Sequence, residues 1–325
     1  MFEKLDMAPA DPILGLSAAF KSDSRPQKIN LGVGVYQDED GKTPILPSVA
    51  EAEKRVVTSS TSKSYLAIDG TPEYNRAVQA LLLGQDHEII RSERAVTVQS
   101  PGGTGALRIA GDFLSRHFPS ARLWLSKPTW ANHPKIFQSA GIEVQTYPYF
   151  DSSDNGLDFS SMIEALANVP AGDVVLLHGC CHNPTGVDPT ANQWEEIADI
   201  AQKAGWLPLV DFAYQGFGDG LEEDAAGLQA LCRPGQELLV ASSFSKNFGL
   251  YQERIGALTL VAQNSEAAAR GLSHLKIAVR TSYSNPPAHG SAIVAEILAD
   301  ASLSAQWEDE VAQMRARING MRQLF

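Results

Sequence analysis

From about residue 95 the chain alternates short apolar runs with longer helical patterns, and this alternation constrains the fold more than any other feature. Runs at 95–99, 122–126, 143–147, 174–178, 207–211, 238–242 and 257–261 each read as a strand. Several are continuously apolar, as strands covered by helices on both faces are. Between them the spacing predicts helices near 103–117, 131–140, 158–167, 190–204 and 225–231. The result is an α/β chain with a mostly parallel, doubly wound sheet. Such sheets bind ligands just beyond the carboxyl ends of their strands, so those positions are the ones to inspect.

The flanks differ. Residues 31–36 form a short, glycine-punctuated apolar stretch followed by the turn-rich 38–44, which reads as an arm and connector outside the main sheet. Near the other end Trp307, Val311, Met314, Ile318 and Met321 recur at helical spacing from about Ser302. That pattern runs into Leu324-Phe325 without a terminating residue, which predicts either an incomplete chain or a frayed last helix.

Composition narrows the partners. Of 325 residues, 26 are Lys or Arg and 38 Asp or Glu, a formal net charge of −12 that argues against nucleic acid or an anionic membrane as the main partner. No run approaches the roughly 20 apolar residues of a spanning helix. The first residues carry neither a basic region nor an apolar one, so no secretory signal is read. Three cysteines, two of them adjacent at Cys180 and Cys181, suit reduced thiols in a cytoplasmic protein.

Chemistry gathers at the strand ends. Lys246, in a stretch of serines and aromatics, is either a solvated loop lysine or an amine made nucleophilic by desolvation. Asp211 closes an apolar strand with Tyr214 three residues on; it is either a turn residue or the carboxylate that keeps a ring nitrogen protonated. Gly102, Gly103 and Thr104 follow a strand and open a helix, a backbone suited to a phosphate but not the dinucleotide fingerprint. The residues His178, Cys180, Cys181 and His182 invite a metal, but their spacing is wrong for structural zinc, and none is assigned. Asn183-Pro184-Thr185-Gly186 reads as a turn that places an amide, and Trp130 as core packing or a stacking platform. Together these residues describe a planar, phosphorylated carbonyl cofactor, and pyridoxal phosphate meets each requirement.

The stretches 182–186, 211–216, 243–251 and 283–287, in this order along the chain, resemble the class I aminotransferases of the aspartate and aromatic subgroup, in the fold-type I pyridoxal-phosphate superfamily. The resemblance runs essentially end to end. It implies a large cofactor-binding domain with a seven-stranded sheet over 44–312, and an incomplete small α/β domain formed by an arm and first piece at 1–43 and a start at 313–325. It implies Lys246 as the Schiff-base and proton-shuttle residue, Asp211 on the ring nitrogen backed by His133, and Tyr214 and Asn183 on the ring oxygen. Trp130 would stack on the ring, and Gly102, Gly103, Thr104, Ser243 and Arg254 would hold the phosphate. In a homodimer with shared sites, Tyr65 would reach the partner's phosphate. Arg280 would take the substrate's distal carboxylate, a bidentate task that lysine performs poorly. Ser284 and Tyr251 would belong to the same shared site, and Gly34 to a segment closing over substrate.

The implied reaction is ping-pong transfer of an amino group from an L-amino acid to 2-oxoglutarate, aspartate favoured and aromatic amino acids the alternative. The family also carries an arginine for the α-carboxylate beyond the equivalent of Phe325; no residue here matches it, so an impaired, cofactor-binding chain is a further alternative.

Overall fold

The computed structural model describes residues 1–7, 14–29, 32 and 34–324, and divides into two compact units, 1–44 and 45–325. In the first, a short 3-10 turn precedes α1 (Leu14–Ser22), whose end is held by the Lys28 ammonium donating to the carbonyls of Phe20 and Asp23 at 2.7 and 2.6 Å. Leu31 and Val33, part of the expected arm, lie outside the described residues.

The second unit opens with α2 (Pro47–Ser59), α3 (Pro72–Leu83) and the single turn α4 (Glu88–Arg91). The alternating region follows: β1 (Ala95–Pro101), α5 (Gly102–His117), β2 (Leu123–Lys127), α6 (His133–Ser139) and β3 (Val144–Pro148). A two-stranded ribbon, β4 (Phe150–Asp151) with β5 (Gly156–Leu157), precedes α7 (Phe159–Ala167), β6 (Val174–His178), α8 (Ala191–Ala204) and β7 (Leu207–Phe212). Then come α9 (Ala226–Leu231), β8 (Leu238–Ser243), β9 (Ile255–Val261), α10 (Ser265–Ser282), α11 (His289–Ala299) and α12 (Ala301–Leu324). All seven strands expected from the apolar runs form, as do the five helices between them.

The local reasons are visible. Every residue of β6 is buried, as its unbroken apolar run requires. Helix α8 starts with a capping box between Thr190 and Gln193, ends at the left-handed Gly205, and buries Trp194, Ile197, Ala198 and Ala201 along one face. Helix α12 buries Leu303, Trp307, Val311 and Met314, whereas Met321 is 47% exposed, so the expected apolar stripe leaves the core in its last turns.

The seven strands form one sheet in the order β1-β9-β8-β7-β6-β2-β3. Only β9 runs antiparallel to its neighbours; the other pairings are parallel. The carboxyl ends of the other six strands therefore share one edge of the sheet with the amino end of β9. The register fixes who meets there: Pro101 opposite Ile255, Ser243 opposite Gly256, Phe212 opposite Ser242, and Asp211 opposite His178.

Candidate active site

That edge gathers the residues singled out in the sequence. Asp211 is the second-last residue of β7, and its Oδ2 lies 2.9 Å from Nε2 of His133, the fully buried first residue of α6. From His133 a chain of hydrogen bonds runs inward: Nδ1 to the Thr129 hydroxyl at 2.8 Å, and that hydroxyl to Nε2 of His178 at 3.2 Å. The backbone N–H of Asn183 closes the chain, donating to His178 Nδ1 at 3.4 Å.

A backbone amide can only donate, and this fixes the direction of the rest. His178 Nδ1 accepts, so its ring hydrogen sits on Nε2 and is given to Thr129. The Thr129 hydrogen then goes to His133 Nδ1, leaving Nε2–H to donate to Asp211. Burial, the largest cause, pushes the His178 pKa down to about 4; the nearby Asp211 opposes the drop and His133 adds to it. The neutral ring that the chain needs is the ring that burial favours.

A second histidine braces the turn. His182 is held by Ser126 at 2.9 Å and Thr185 at 2.8 Å and stacks on Tyr149, ring centroids 3.9 Å apart. Burial takes its pKa down to about 2, with His178 and His133 contributing. His178 and His182 sit 4.1 Å apart, centroid to centroid, with their ring nitrogens bonded within the protein.

At Asp211, burial pushes the carboxyl up. The His133 hydrogen bond, and the electrostatic pull of His133, His178 and Lys246, outweigh it and leave the group below its usual value. The result is a persistent buried carboxylate. Facing it is Lys246, whose Nζ lies 4.7 Å from the centroid of the Tyr214 ring. Burial lowers the lysine's pKa, Asp211 opposes this, and Arg254 assists it. Tyr214 is pushed up to about 12 by burial and the Asp211 charge, partly offset by a hydrogen bond from the Asn183 side chain. Trp130 packs edge-on against His133, centroids 5.2 Å apart, and stays half-buried.

The loop bearing Lys246 is rigid for a packing reason. Phe244 and Phe248 meet edge to face, Trp307 of α12 stacks on Phe248 with centroids 4.3 Å apart, and its Nε1–H donates to the Asn247 carbonyl at 2.8 Å. Phe244, Ser245, Asn247 and Phe248 around Lys246 are buried, while Lys246 itself is half-buried.

Beside the lysine is a cradle of donors. Gly102 begins α5 with φ +73, and a Cβ there would fall 2.4 Å from Nη2 of Arg254. A Cβ at Gly103 would stand 3.1 Å from that of Ser243. Glycine at both positions lets the guanidinium and a hydroxyl close on the amino end of a helix. Arg254 donates to the Ser245 hydroxyl at 3.0 Å and the Tyr251 carbonyl at 3.3 Å, and no carboxylate pairs with it among the described residues. Thr104 is exposed in the first turn of the same helix. A helix amino end, an arginine without a counter-ion and two serine hydroxyls fit a phosphate group. Alongside, a buried carboxylate, a phenol and a desolvated amine fit the ring of pyridoxal phosphate.

Three of the remaining candidates, Tyr65, Arg280 and Gly34, are exposed. Tyr65 is 92% exposed. Arg280, exposed in the last turn of α10, donates to the Ser284 hydroxyl, and Ser284 holds φ +69 and bonds Asn285 Oδ1 at 2.9 Å. Gly34 is exposed in the first unit. Thr129 and Ser245 are participants that sequence reading passes over, and His178 is one it weighs only as a metal ligand. Thr129 had one signal, its position four residues before His133 at a helix entrance.

Comparison with known proteins agrees with this geometry. A family model for aminotransferases of class I and II matches residues 26–325. The chain is 56% identical over 325 residues to the aspartate aminotransferase of Escherichia coli K12, covering 100% of this chain and 82% of that protein. It is 47% identical over 324 residues to the aromatic-amino-acid aminotransferase of the same organism, covering 99% and 82%. Among solved structures, that of the aromatic-amino-acid aminotransferase of Burkholderia pseudomallei, covalently bound to pyridoxal phosphate, superposes with a TM-score of 0.97 at 48% identity, over 99% of this chain and 81% of that one. The chain belongs to the class I and II aminotransferase family.

Proposed function

We propose that this protein is a pyridoxal-phosphate-dependent aminotransferase that moves an amino group from an L-amino acid, aspartate first, to 2-oxoglutarate by a ping-pong mechanism. The observation that carries the reading is the convergence of Lys246, Asp211, Tyr214 and the Arg254 cradle on one sheet edge. Pyridoxal phosphate supplies an electron sink that makes the α-proton of an amino acid acidic. Everything else falls to the chain. The Arg254 guanidinium, the Ser243 hydroxyl and the first amides of α5 hold the phosphate, with Thr104 beside them.

Asp211, kept ionised, provides the negative charge that holds the ring nitrogen's proton in place. Tyr214 and Asn183 donate toward the ring oxygen, and Trp130 covers one face. Lys246 Nζ, with its protonated form disfavoured by burial, is the group that would hold the cofactor and would carry the α-proton. Arg280 binds the distal carboxylate. The exposure of Arg280 and Tyr65 supports their reaching a second copy, in a cytoplasmic homodimer with shared sites. Residues 44–312 act as the cofactor-binding domain, with 1–43 and 313–325 as pieces of a smaller one.

The higher identity to an aspartate enzyme, 56% against 47% for the aromatic one, favours aspartate. The test is direct. Oxaloacetate formation from L-aspartate and 2-oxoglutarate is followed with added cofactor and compared with phenylpyruvate from phenylalanine. Lys246→Ala should lower turnover by about a thousandfold or more, since a positioned proton-transfer group supplies that order of acceleration. No turnover of either donor, or turnover unchanged in the variant, refutes the reading.

A further inference from the structure

A cavity of about 450 Å³ opens between the carboxyl-terminal halves of α5 and α10. Its charge runs against that of the molecule. In a chain of net charge −12, this lining holds Arg108, Arg116, His117 and His274 against a single carboxylate, Asp112. Asp112 is already engaged, its Oδ1 accepting from Arg108 Nε at 2.9 Å. Arg116 pairs with no carboxylate among the described residues. The His117 and His274 rings meet at 4.2 Å between centroids, and Phe113 backs His117 at 5.1 Å.

Cations in the last turn of a helix are ordinary partners for its free carbonyls, which would explain Arg116 and His117 alone. It does not explain His274, which comes from the neighbouring helix and presses a second imidazole against the first. Like-signed groups gathered round a void disfavour each other's charged forms unless an anion lies among them. The ring of His117 shows this: burial, then His274 and Arg116, lower its pKa. Hydroxyls of Ser115 and Ser282 stand at the lining as further donors.

We propose that this cavity is an accessory site for a small free oxyanion bearing two negative charges, held by Arg116, His117 and His274. The site is separate from the phosphate cradle at Arg254. It abuts the end of α10, where Thr281 and Ser282 directly follow Arg280. Binding takes up protons. The charged groups facing His117 are Arg108, Asp112 and Arg116 on α5 and His274 on α10, and the turn after α6 contributes only Ala140. Occupancy by a dianion therefore favours the imidazolium form of His117, and affinity rises as pH falls.

Sulfate is the probe, because its charge does not change through the range in which histidine titrates. Protein labelled at histidine Cε1 and saturated with pyridoxal phosphate is titrated with sodium sulfate against sodium chloride of equal ionic strength, resonances being assigned with His117→Gln and His274→Gln. The His117 and His274 signals should shift saturably with sulfate alone, while those of His87 and His289 stay put. The midpoint should tighten by about fivefold or more between pH 8 and pH 6. Arg116→Ala should weaken binding by about tenfold and Arg116→Lys by less. Arg254→Ala, at the other anion site, should leave these shifts intact. Shifts that fail to saturate, match chloride, or persist unchanged in Arg116→Ala overturn the proposal.

Discussion

Thr129 decides which way the hydrogens point beneath Asp211. Its hydroxyl joins His133 to His178 by hydrogen bonds, and its orientation is inherited from a backbone amide two bonds further along the chain. Thr129→Val keeps the shape and removes the link, so His133 loses the donor that fixes its tautomer. Turnover should drop by about tenfold or more, as loss of an orienting hydrogen bond at a catalytic group does, with Thr129→Ser restoring most of it. The distinguishing readout is the pH dependence of the bound cofactor's visible absorption: it should move in the valine variant and return in the serine one. An unchanged profile would reduce Thr129 to a packing residue. At this scale the sequence is legible where one residue stands out by its position, as Lys246 does just past β8 and Asp211 near the end of β7. It is opaque where the role is relational. Nothing in the spacing of Thr129 and His178, 49 residues apart, announces a shared hydrogen bond; only the parallel pairing of their neighbours creates it.

Among the elements, the anion cradle depends on how closely β9 approaches the start of α5. Gly256 lies in the strand where a Cβ would come within 2.5 Å of the Gly102 carbonyl carbon and 2.6 Å of the Ser242 oxygen. Both obstacles are backbone, and neither can rotate away. Gly256→Ala must therefore part the strand from the helix entrance, at a cost of about 1–3 kcal/mol or more from overpacking. The measurements are the urea midpoint and the affinity for pyridoxal phosphate. Both should fall, the second because Gly102 and Arg254 separate; wild-type values in both would show that the strand accommodates the methyl group. Strands were readable because β6 to β9 are buried through most of their length and their residues are mostly apolar. Helices α2, α3, α10 and α11, outside the alternating region, escape the same reading. Helix α10 distributes Ala268, Gly271, Leu275, Ala278 and Val279 over a narrow buried stripe among many polar residues. Its partners on the sheet, not its own pattern, identify its inner face.

For the whole molecule, the buried histidines make stability depend on pH. His178 is 7% exposed and His182 1%, and both favour the neutral ring, at about 4 and about 2 against an ordinary value of 6.5. An unfolded chain binds protons at these rings once the pH drops below about 6.5, whereas the folded chain does not until far lower. The unfolded state thus gains protons first, and stability declines with falling pH. For His178 the contribution is complete above about pH 6.5, drains through the interval down to about 4, and amounts to about 3 kcal/mol. His182 continues the decline below that, and Asp211, whose carboxyl is held below its usual value, adds to it in the acid range. Relief of the diffuse repulsion from the net charge of −12 works against this trend, but it comes mainly as carboxylates protonate at about pH 4, below most of the His178 interval. Urea unfolding of the cofactor-free protein should show a midpoint that falls steadily from about pH 7 to about pH 4.5. His178→Gln, which carries no titrating ring, should flatten that slope over the upper part of the interval even where it lowers stability at neutral pH. A midpoint that rises on acidification, or a slope identical in His178→Gln, would mean that these rings are protonated in the folded protein and that the hydrogen-bond direction assigned beneath Asp211 is reversed.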